Sequence, residues 1–103
     1  MAFNEIARVG HVNQATLSSD GTAVLSTSSA QILAANSDRK MLFITNHSAS
    51  VKVRVRFGSA ASATAGVVLN PEESLILDRV VPTESVNAIA ASGTPSLYYA
   101  EFE

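Results

Sequence analysis

The segment Val51–Phe57 constrains the fold of this chain more than any other stretch of its sequence. Apolar side chains occupy its odd positions, and the cations Lys52, Arg54 and Arg56 occupy the even positions between them. A period of two residues sends alternate side chains to opposite faces, which is the pattern of a β-strand with one buried face and one solvated face. We therefore expect a sheet whose one side is covered by a core.

A second strand is predicted immediately before it, at residues 41–45, where the sequence Met-Leu-Phe-Ile-Thr is almost continuously apolar. Such a run is typical of a strand that is covered on both faces, by a second sheet or by another subunit. Residues 46–50 are polar and have the length of a hairpin loop. We therefore predict one antiparallel hairpin over Met41–Phe57. The side chains expected in its buried part are Phe43, Ile44, Val53 and Val55.

Turn signals divide the remaining C-terminal part into further short strands. The small residues between Gly58 and Gly66 predict a mobile loop, because no large side chain is available for burial. Asn70 followed by Pro71 predicts a turn. The strands expected around these turns cover residues 67–69, 74–77, 86–90 and 97–102, the last with Leu97 and Tyr99 on one face and Tyr98, Ala100 and Phe102 on the other.

The N-terminal third allows two interpretations. Ser28 could cap a short helix within Ser26–Asn36. Alternatively, Thr22–Leu25 and Gln31–Leu33 would each form a short strand, and this is the interpretation that we favour. Turn signals every 8–12 residues and about seven to nine short strands predict an all-β fold, either an antiparallel β-sandwich or a jelly-roll-like barrel. Residues 1–22 are assigned to an N-terminal arm and the first strands, and residues 23–103 to the sandwich.

The composition favours a single domain that packs against neighbours. The chain has 103 residues, of which 16% are charged, against roughly 25% in soluble domains. Its net charge of −2 gives no global attraction to nucleic acid. Cysteine is absent, so disulfides are excluded and oligomerisation is the expected source of added stability. No run reaches the ~20 apolar residues of a membrane span, and residues 1–11 lack the apolar centre of a signal peptide.

No constellation of residues predicts catalysis. The only histidines, His11 and His47, do not have a metal-type spacing. The sequence contains no Gly-x-Ser-x-Gly motif for a nucleophile, and no lysine follows a glycine as a phosphate-binding loop requires. Glu72 and Glu73 stand beside a proline turn, where adjacent carboxylates are usually solvated. We therefore expect no enzymatic activity, no metal and no cofactor.

The cations Lys52, Arg54 and Arg56 are the first candidates for contact with a partner. Three interpretations stay open: a solvated face that discourages aggregation, contact with an acidic protein surface, or contact with nucleic-acid phosphates. Nucleic acid is the least favoured, because no aromatic residues alternate with the cations for base stacking.

Apolar residues supply the other candidate contacts. Phe3 and Ile6 lie in the segment Ala2–Val12, which is predicted to contact a partner as an arm outside the sandwich. Met41 and Phe43 belong to the strand that is apolar on both faces and are predicted to mediate self-association.

A series of short motifs follows a fixed order between Gln31 and Phe102. They are Ile32–Asn36, Asp38–Lys40, Leu42–Asn46, Arg56–Ser59, Gly66–Leu69, Pro71–Leu75 and Ala90–Thr94. This order resembles a small β-module of tailed-bacteriophage structural proteins, over about two-thirds of the chain. In that module the turn reads Leu-x-Pro-Gly-Glu-Ser, and Glu72 stands where glycine is typical, which predicts a different turn here.

The resemblance implies a sandwich-like fold and a structural function in a virion. Members of the module's family resemble capsid cement or decoration proteins, head fibres and tail-associated proteins. The resemblance implies a homotrimeric decoration protein on the surface of the phage head, made in the host bacterial cytoplasm. Such a protein would bind the major capsid protein or another virion protein between capsomers, and it would not contact a membrane. The alternatives are a tail, fibre or baseplate adaptor and, less favoured, a carbohydrate-binding module, since the chain has no tryptophan and only two tyrosines, Tyr98 and Tyr99.

Overall fold

The chain folds into two four-stranded antiparallel sheets. A computed structural model describes residues 14–103. Its strands are β1 (Leu17–Val24), β2 (Ala30–Leu33), β3 (Met41–Asn46), β4 (Val53–Phe57), β5 (Val67–Leu69), β6 (Ser74–Leu77), β7 (Val86–Ala90) and β8 (Ser96–Phe102). The first sheet has the order β1-β8-β3-β6 and the second the order β2-β7-β4-β5. The prediction of an all-β antiparallel sandwich is confirmed.

One hydrophobic core joins the facing sides of the two sheets. β3 contributes Leu42 and Ile44 to it, and β4 contributes Val53 and Val55, all of them at most 1% exposed. The other buried members are Leu25, Leu33, Leu69, Val86, Ala88, Ala90 and Leu97. Full burial of each large aliphatic side chain contributes about 1.5–3 kcal/mol. The alternation of strand side chains therefore specifies the inner face of both sheets.

The predicted hairpin over Met41–Phe57 is wrong. β3 pairs with β6 and β8, whereas β4 pairs with β5 and β7, so the segment between them crosses from the first sheet to the second. The fully buried Asn46 stabilises the segment that connects the two sheets. Its Nδ2 donates to the carbonyl oxygens of Val51 at 2.8 Å and Leu69 at 3.1 Å, and its Oδ1 accepts a bond from the amide of Ser48 at 3.0 Å. A short polar loop suits either connection, so its length did not reveal the crossing.

Strands rather than a helix occupy the described part of the N-terminal third. β2 covers Ala30–Leu33 and pairs with β7, inside the segment where a helix was the alternative. β1 runs across residue 22 and pairs with β8 along its length. Just before β1, Thr16 and Glu103 exchange two backbone hydrogen bonds of 2.8 and 2.9 Å. The chain from Thr16 onward is thus joined to the first sheet.

The small residues between Gly58 and Gly66 form a structured turn against the second sheet. Ala61 is buried, and its amide donates to Ser29 Oγ at 2.9 Å. Ser62 and Ala65 exchange backbone hydrogen bonds of 3.0 and 3.4 Å. Small side chains let this backbone lie close to the sheet, so the composition that predicted a mobile loop also permits a fastened one.

Candidate docking surfaces

The side of the first sheet that points away from the core carries a contiguous set of apolar side chains. We call this the outer apolar face, and its members are Leu17, Met41, Phe43, Ile76, Tyr98 and Phe102. The strand register places Leu17, Phe102 and Met41 in one row and Phe43 opposite Ile76 in the next. Leu17 is 49% exposed and Ile76 is 55% exposed, so nothing in the described fold covers them. Scattered exposed apolar residues are normal, whereas a contiguous set indicates an interaction site.

Met41 and Phe43, the residues predicted for self-association, both lie on this face. Both are half-buried. The expectation that Phe43 lies in the core is wrong, because the strand alternation turns Ile44 inward and Phe43 outward. The same expectation is confirmed for Ile44, Val53 and Val55. The Phe43 ring instead meets the ring of Tyr98 edge-to-face, with centroids 6.1 Å apart and an interplanar angle of 82°.

Tyr98 forms the polar margin of the outer apolar face. Its hydroxyl donates to Asp20 Oδ2 at 3.0 Å, across from β8 to β1. This hydrogen bond raises the pKa of the Tyr98 phenol, and desolvation and the negative charge of Asp20 raise it further. The centroid of the His47 ring lies 6.2 Å from that of the Tyr98 ring. One edge of the apolar surface therefore ends in groups that can exchange hydrogen bonds with a partner.

Of the three cations predicted as partner contacts, the two arginines bond to the protein's own backbone, and the lysine side chain is exposed. Arg54 and Arg56 lie in β4, and Lys52 precedes the strand. Arg54 Nη1 donates to the Gly66 carbonyl at 3.2 Å, and Arg56 Nη1 donates to the Ala60 carbonyl at 3.1 Å. The two guanidinium groups therefore fasten the two ends of the small-residue turn. Lys52 is exposed, and its backbone carbonyl accepts a hydrogen bond from Ala91.

A depression of about 380 Å³ lies beside two of these cations on the outer side of the second sheet. We call it the basic depression. Its side chains include Lys52, Arg54, Val68, Ile89, Thr27 and Ala63. The strand register sets Arg54 directly between Val68 of β5 and Ile89 of β7. A charged group thus stands in a row with an aliphatic side chain on each side.

Arg39 makes four side-chain hydrogen bonds, and the sequence did not single it out as a buried residue. Its guanidinium is fully buried and pairs with Glu101 through Nε at 2.8 Å. Nη1 donates to the carbonyls of Pro82 at 2.6 Å and Glu84 at 2.9 Å, and Nη2 donates to the Ala34 carbonyl at 2.9 Å. The guanidinium therefore donates hydrogen bonds to four acceptors inside the protein, which gives Arg39 a structural role. A buried arginine beside an exposed lysine looks the same in a sequence as two exposed cations.

A second depression, of about 660 Å³, lies at the same end of the sandwich as Arg39. Gln14, Lys40, Asp78 and Arg79 contribute to its lining, and all four are exposed. The guanidinium of Arg39 is already bonded inside the protein, so the charges that line this depression are the exposed ones of Lys40, Asp78 and Arg79, beside the apolar Ala15, Met41 and Val81.

The acidic and histidine side chains within residues 14–103 do not form a metal-binding group. No set of three or more histidine, cysteine, aspartate or glutamate side chains in this range is placed to hold a metal ion. Glu73 accepts a bond from the Asn70 amide at 2.8 Å and so closes its own turn. No helix in the same range is long and apolar enough to cross a membrane. His11, Phe3 and Ile6 lie outside the described residues.

Comparison with known proteins finds no matching family model, no matching curated protein and no matching solved structure.

Proposed function

We propose that this chain is a structural protein of a bacteriophage virion, a decoration protein that stabilises the head by binding between capsomers. The observation that carries the proposal is the pair of outer surfaces on one small sandwich. One sheet exposes an apolar face and the other exposes cations beside aliphatic residues. A protein whose two sides both offer contacts can bind copies of itself and a larger surface at the same time.

Self-association through the outer apolar face is the first part of the proposal. Met41, Phe43 and Ile76 lie on neighbouring strands, where a second copy would remove them from water together. Burial contributes about 25 cal/mol for each Å² of apolar surface, and a ring of three subunits closes when one part of the face contacts a different part of the face on the next subunit. We propose a homotrimer, in which this face is shared between subunits.

Binding to the shell is the second part. A protein that binds only the assembled lattice stabilises that lattice by its binding free energy. Many copies multiply a modest contribution from each. The cations Lys52, Arg54 and Arg56 would increase the rate of encounter with an acidic shell surface, whereas apolar contacts would set the residence time. The partner is therefore the major capsid protein or another protein of the virion.

The test is binding to undecorated heads of the phage that encodes this chain. Wild-type protein, a variant with Lys52, Arg54 and Arg56 all replaced by Gln, and a variant lacking Ala2–Val12 are mixed with heads. Bound copies and the temperature of head rupture are then measured. Lys40→Gln, which changes an exposed cation outside the basic depression, is the matched control.

We expect wild-type protein to bind and to raise the rupture temperature. The triple-Gln variant should bind more slowly and with a weaker dependence on salt, and the arm-deleted variant should bind more weakly. If wild-type protein neither binds heads nor protects them, the decoration function is wrong. Binding to purified tails, measured in a parallel assay, would support the tail, fibre or baseplate alternative.

A further inference from the structure

The basic depression combines charge with apolar surface in a defined order. Arg54 stands in one cross-strand row between Val68 and Ile89. Directly opposite residues in antiparallel sheets have Cβ atoms about 4.5–5.5 Å apart, so the two aliphatic side chains flank the arginine stem. Lys52 lines the same depression. A ligand that enters it would meet two cations and an aliphatic floor together.

The positive charge of this depression is not neutralised inside the described fold. The hydrogen bond that Arg54 makes goes to a carbonyl, and the one ion pair within residues 14–103 joins Arg39 to Glu101. A carbonyl accepts a hydrogen bond but leaves the cation's full charge. The aliphatic neighbours also reduce solvent around Arg54, which strengthens its attraction for an anion.

We propose that the basic depression binds an acidic, extended segment of a partner protein. Lys52 and Arg54 are two residues apart, and this separation in an extended chain is about 7 Å. A partner strand with carboxylates at alternate positions repeats at the same distance, and the methylene groups of these acidic side chains would contact Val68 and Ile89. The inference deepens the proposed function, because it names the chemistry of the segment that the shell would offer.

A protein segment fits this site better than nucleic acid does. Proteins that bind single strands stack bases on aromatic side chains, and the side chains that line the depression are aliphatic, small or charged. Its volume of about 380 Å³ is near the lower end of the ~300–1,000 Å³ range of ligand pockets. It therefore suits a few side chains of a peptide.

The test measures binding of short labelled peptides to the purified protein by fluorescence anisotropy at low salt. One probe alternates glutamate with valine, the second replaces each glutamate with glutamine, and the third is an oligothymidylate. The protein variants are Lys52→Gln, Arg54→Gln and Ile89→Ser. Ser29→Ala is the control for the small-residue turn, because it removes the bond from the Ala61 amide without changing a charge or a residue that lines the depression. Arg79→Gln is the control for loss of one positive charge.

We expect the glutamate peptide to bind and the glutamine peptide to bind much more weakly. Lys52→Gln and Arg54→Gln should each weaken binding about fivefold, Ile89→Ser should also weaken it, and both control variants should match the wild type. The proposal is overturned if the glutamate peptide does not bind, if Lys52→Gln and Arg54→Gln bind it as the wild type does, or if the oligothymidylate binds more tightly.

Binding of the same variants to heads separates this inference from the proposed function. Heads that bind wild type and Arg54→Gln equally would contradict the role of the depression and leave the decoration function standing. Peptide binding that depends on Arg54, together with no binding to heads, would contradict the decoration function and leave the site standing.

Discussion

Glu72 has a backbone conformation that few residues other than glycine adopt without cost. It occupies the third position of the turn Asn70–Glu73 with a φ of 64°, and the Glu73 amide donates to the Asn70 carbonyl at 3.0 Å. Proline in the second position and a positive φ in the third are the features of a type II turn, which favours glycine at the third. The glutamate was expected to change the turn, yet the backbone keeps the conformation that a glycine would prefer.

Replacing Glu72 with Gly should stabilise the protein. A left-handed conformation costs a non-glycine residue roughly 1–2 kcal/mol, and the greater freedom of glycine in the unfolded chain offsets part of this gain. We expect the free energy of unfolding in urea to rise by about 0.5–1 kcal/mol. Glu72→Ala is the control, because it removes the same charge and keeps a Cβ atom. A Gly variant no more stable than the Ala variant would contradict the strain argument.

Tyr98 should titrate at a higher pH than an ordinary tyrosine. Its hydrogen bond to Asp20 favours the neutral phenol and raises its pKa above the usual value of about 10. Because the pKa is higher in the folded state than in the unfolded state, the Tyr98–Asp20 hydrogen bond contributes fully to the free energy of unfolding below pH ~10. This contribution is lost as the pH rises through the folded-state pKa. Asp20→Asn should lower the pKa of Tyr98, measured by phenolate absorbance, with Tyr98→Phe assigning the signal. An unchanged titration in Asp20→Asn would show that the bond does not form in solution.

At the scale of single elements, β3 contributes one face to the hydrophobic core and the other to the outer apolar face. Leu42, Ile44 and Asn46 point into the sandwich and are fully buried. Phe43 lies between them on the opposite face, opposite Ala100 of β8 and Ile76 of β6. In this central strand, alternate residues of the apolar run therefore pack in the core, and the residues between them lie on the outer apolar face.

Alanine substitutions at neighbouring positions of β3 should separate these two roles. Ile44→Ala should lower the free energy of unfolding by about 2–5 kcal/mol, as for other buried aliphatic residues. Phe43→Ala should cost clearly less, since its ring is half-buried, but should lower the oligomeric mass in light scattering. Equal losses of stability from both variants, with no change in mass, would place Phe43 in the core after all.

The small-residue turn should show an uneven pattern of hydrogen exchange. The amide of Ala61 donates to Ser29 Oγ, so it should exchange more slowly than the amide of Ala63, which lies at the exposed tip. Ser29→Ala removes this acceptor and should increase the exchange rate of Ala61. Uniformly fast exchange from Ser59 to Ala65 in the wild type would support the mobile loop that the composition predicts.

At the scale of the whole molecule, Arg39 links the two sheets outside the hydrophobic core. It lies between β2 of the second sheet and β3 of the first. Its acceptors come from β8 of the first sheet and from the segments next to β2 and β7 of the second. A buried ion pair in which all three guanidinium nitrogens donate to a carbonyl or carboxylate is costly to leave incomplete.

Arg39→Lys should therefore destabilise the protein although the charge is kept. Lysine presents a single ammonium and cannot reach Glu101 and three carbonyls in one plane. We expect the free energy of unfolding to fall by about 2–4 kcal/mol, measured by urea denaturation. Lys40→Gln, at the exposed neighbouring position, should change it by less than about 0.5 kcal/mol. A loss below about 1 kcal/mol in Arg39→Lys would show that the buried network contributes little.

The alternation of side chains and the turn signals were enough to predict the fold class, most strand positions and the inner residues Val53 and Val55 of β4. This information is local, because a strand turns successive side chains to opposite faces whatever its neighbours are. Alternation also placed Leu97 and Tyr99 on the side of β8 opposite Tyr98, whereas the continuously apolar run at residues 41–45 identified Met41 and Phe43 as candidates for self-association. These inferences needed no knowledge of which strands pair.

Pairing partners and polar roles depended on the tertiary structure. β8 lies between β1 and β3, so residues near the two ends of the sandwich chain become neighbours, as in the pair Leu17 and Phe102. A strand's pattern does not reveal its partners, and β3 and β4 entered different sheets for this reason. The type of a polar residue also does not reveal whether it is buried. Asn46 and Arg39 can be buried because their side chains donate hydrogen bonds to backbone carbonyls that are distant in sequence. Only the completed fold brings those acceptors together.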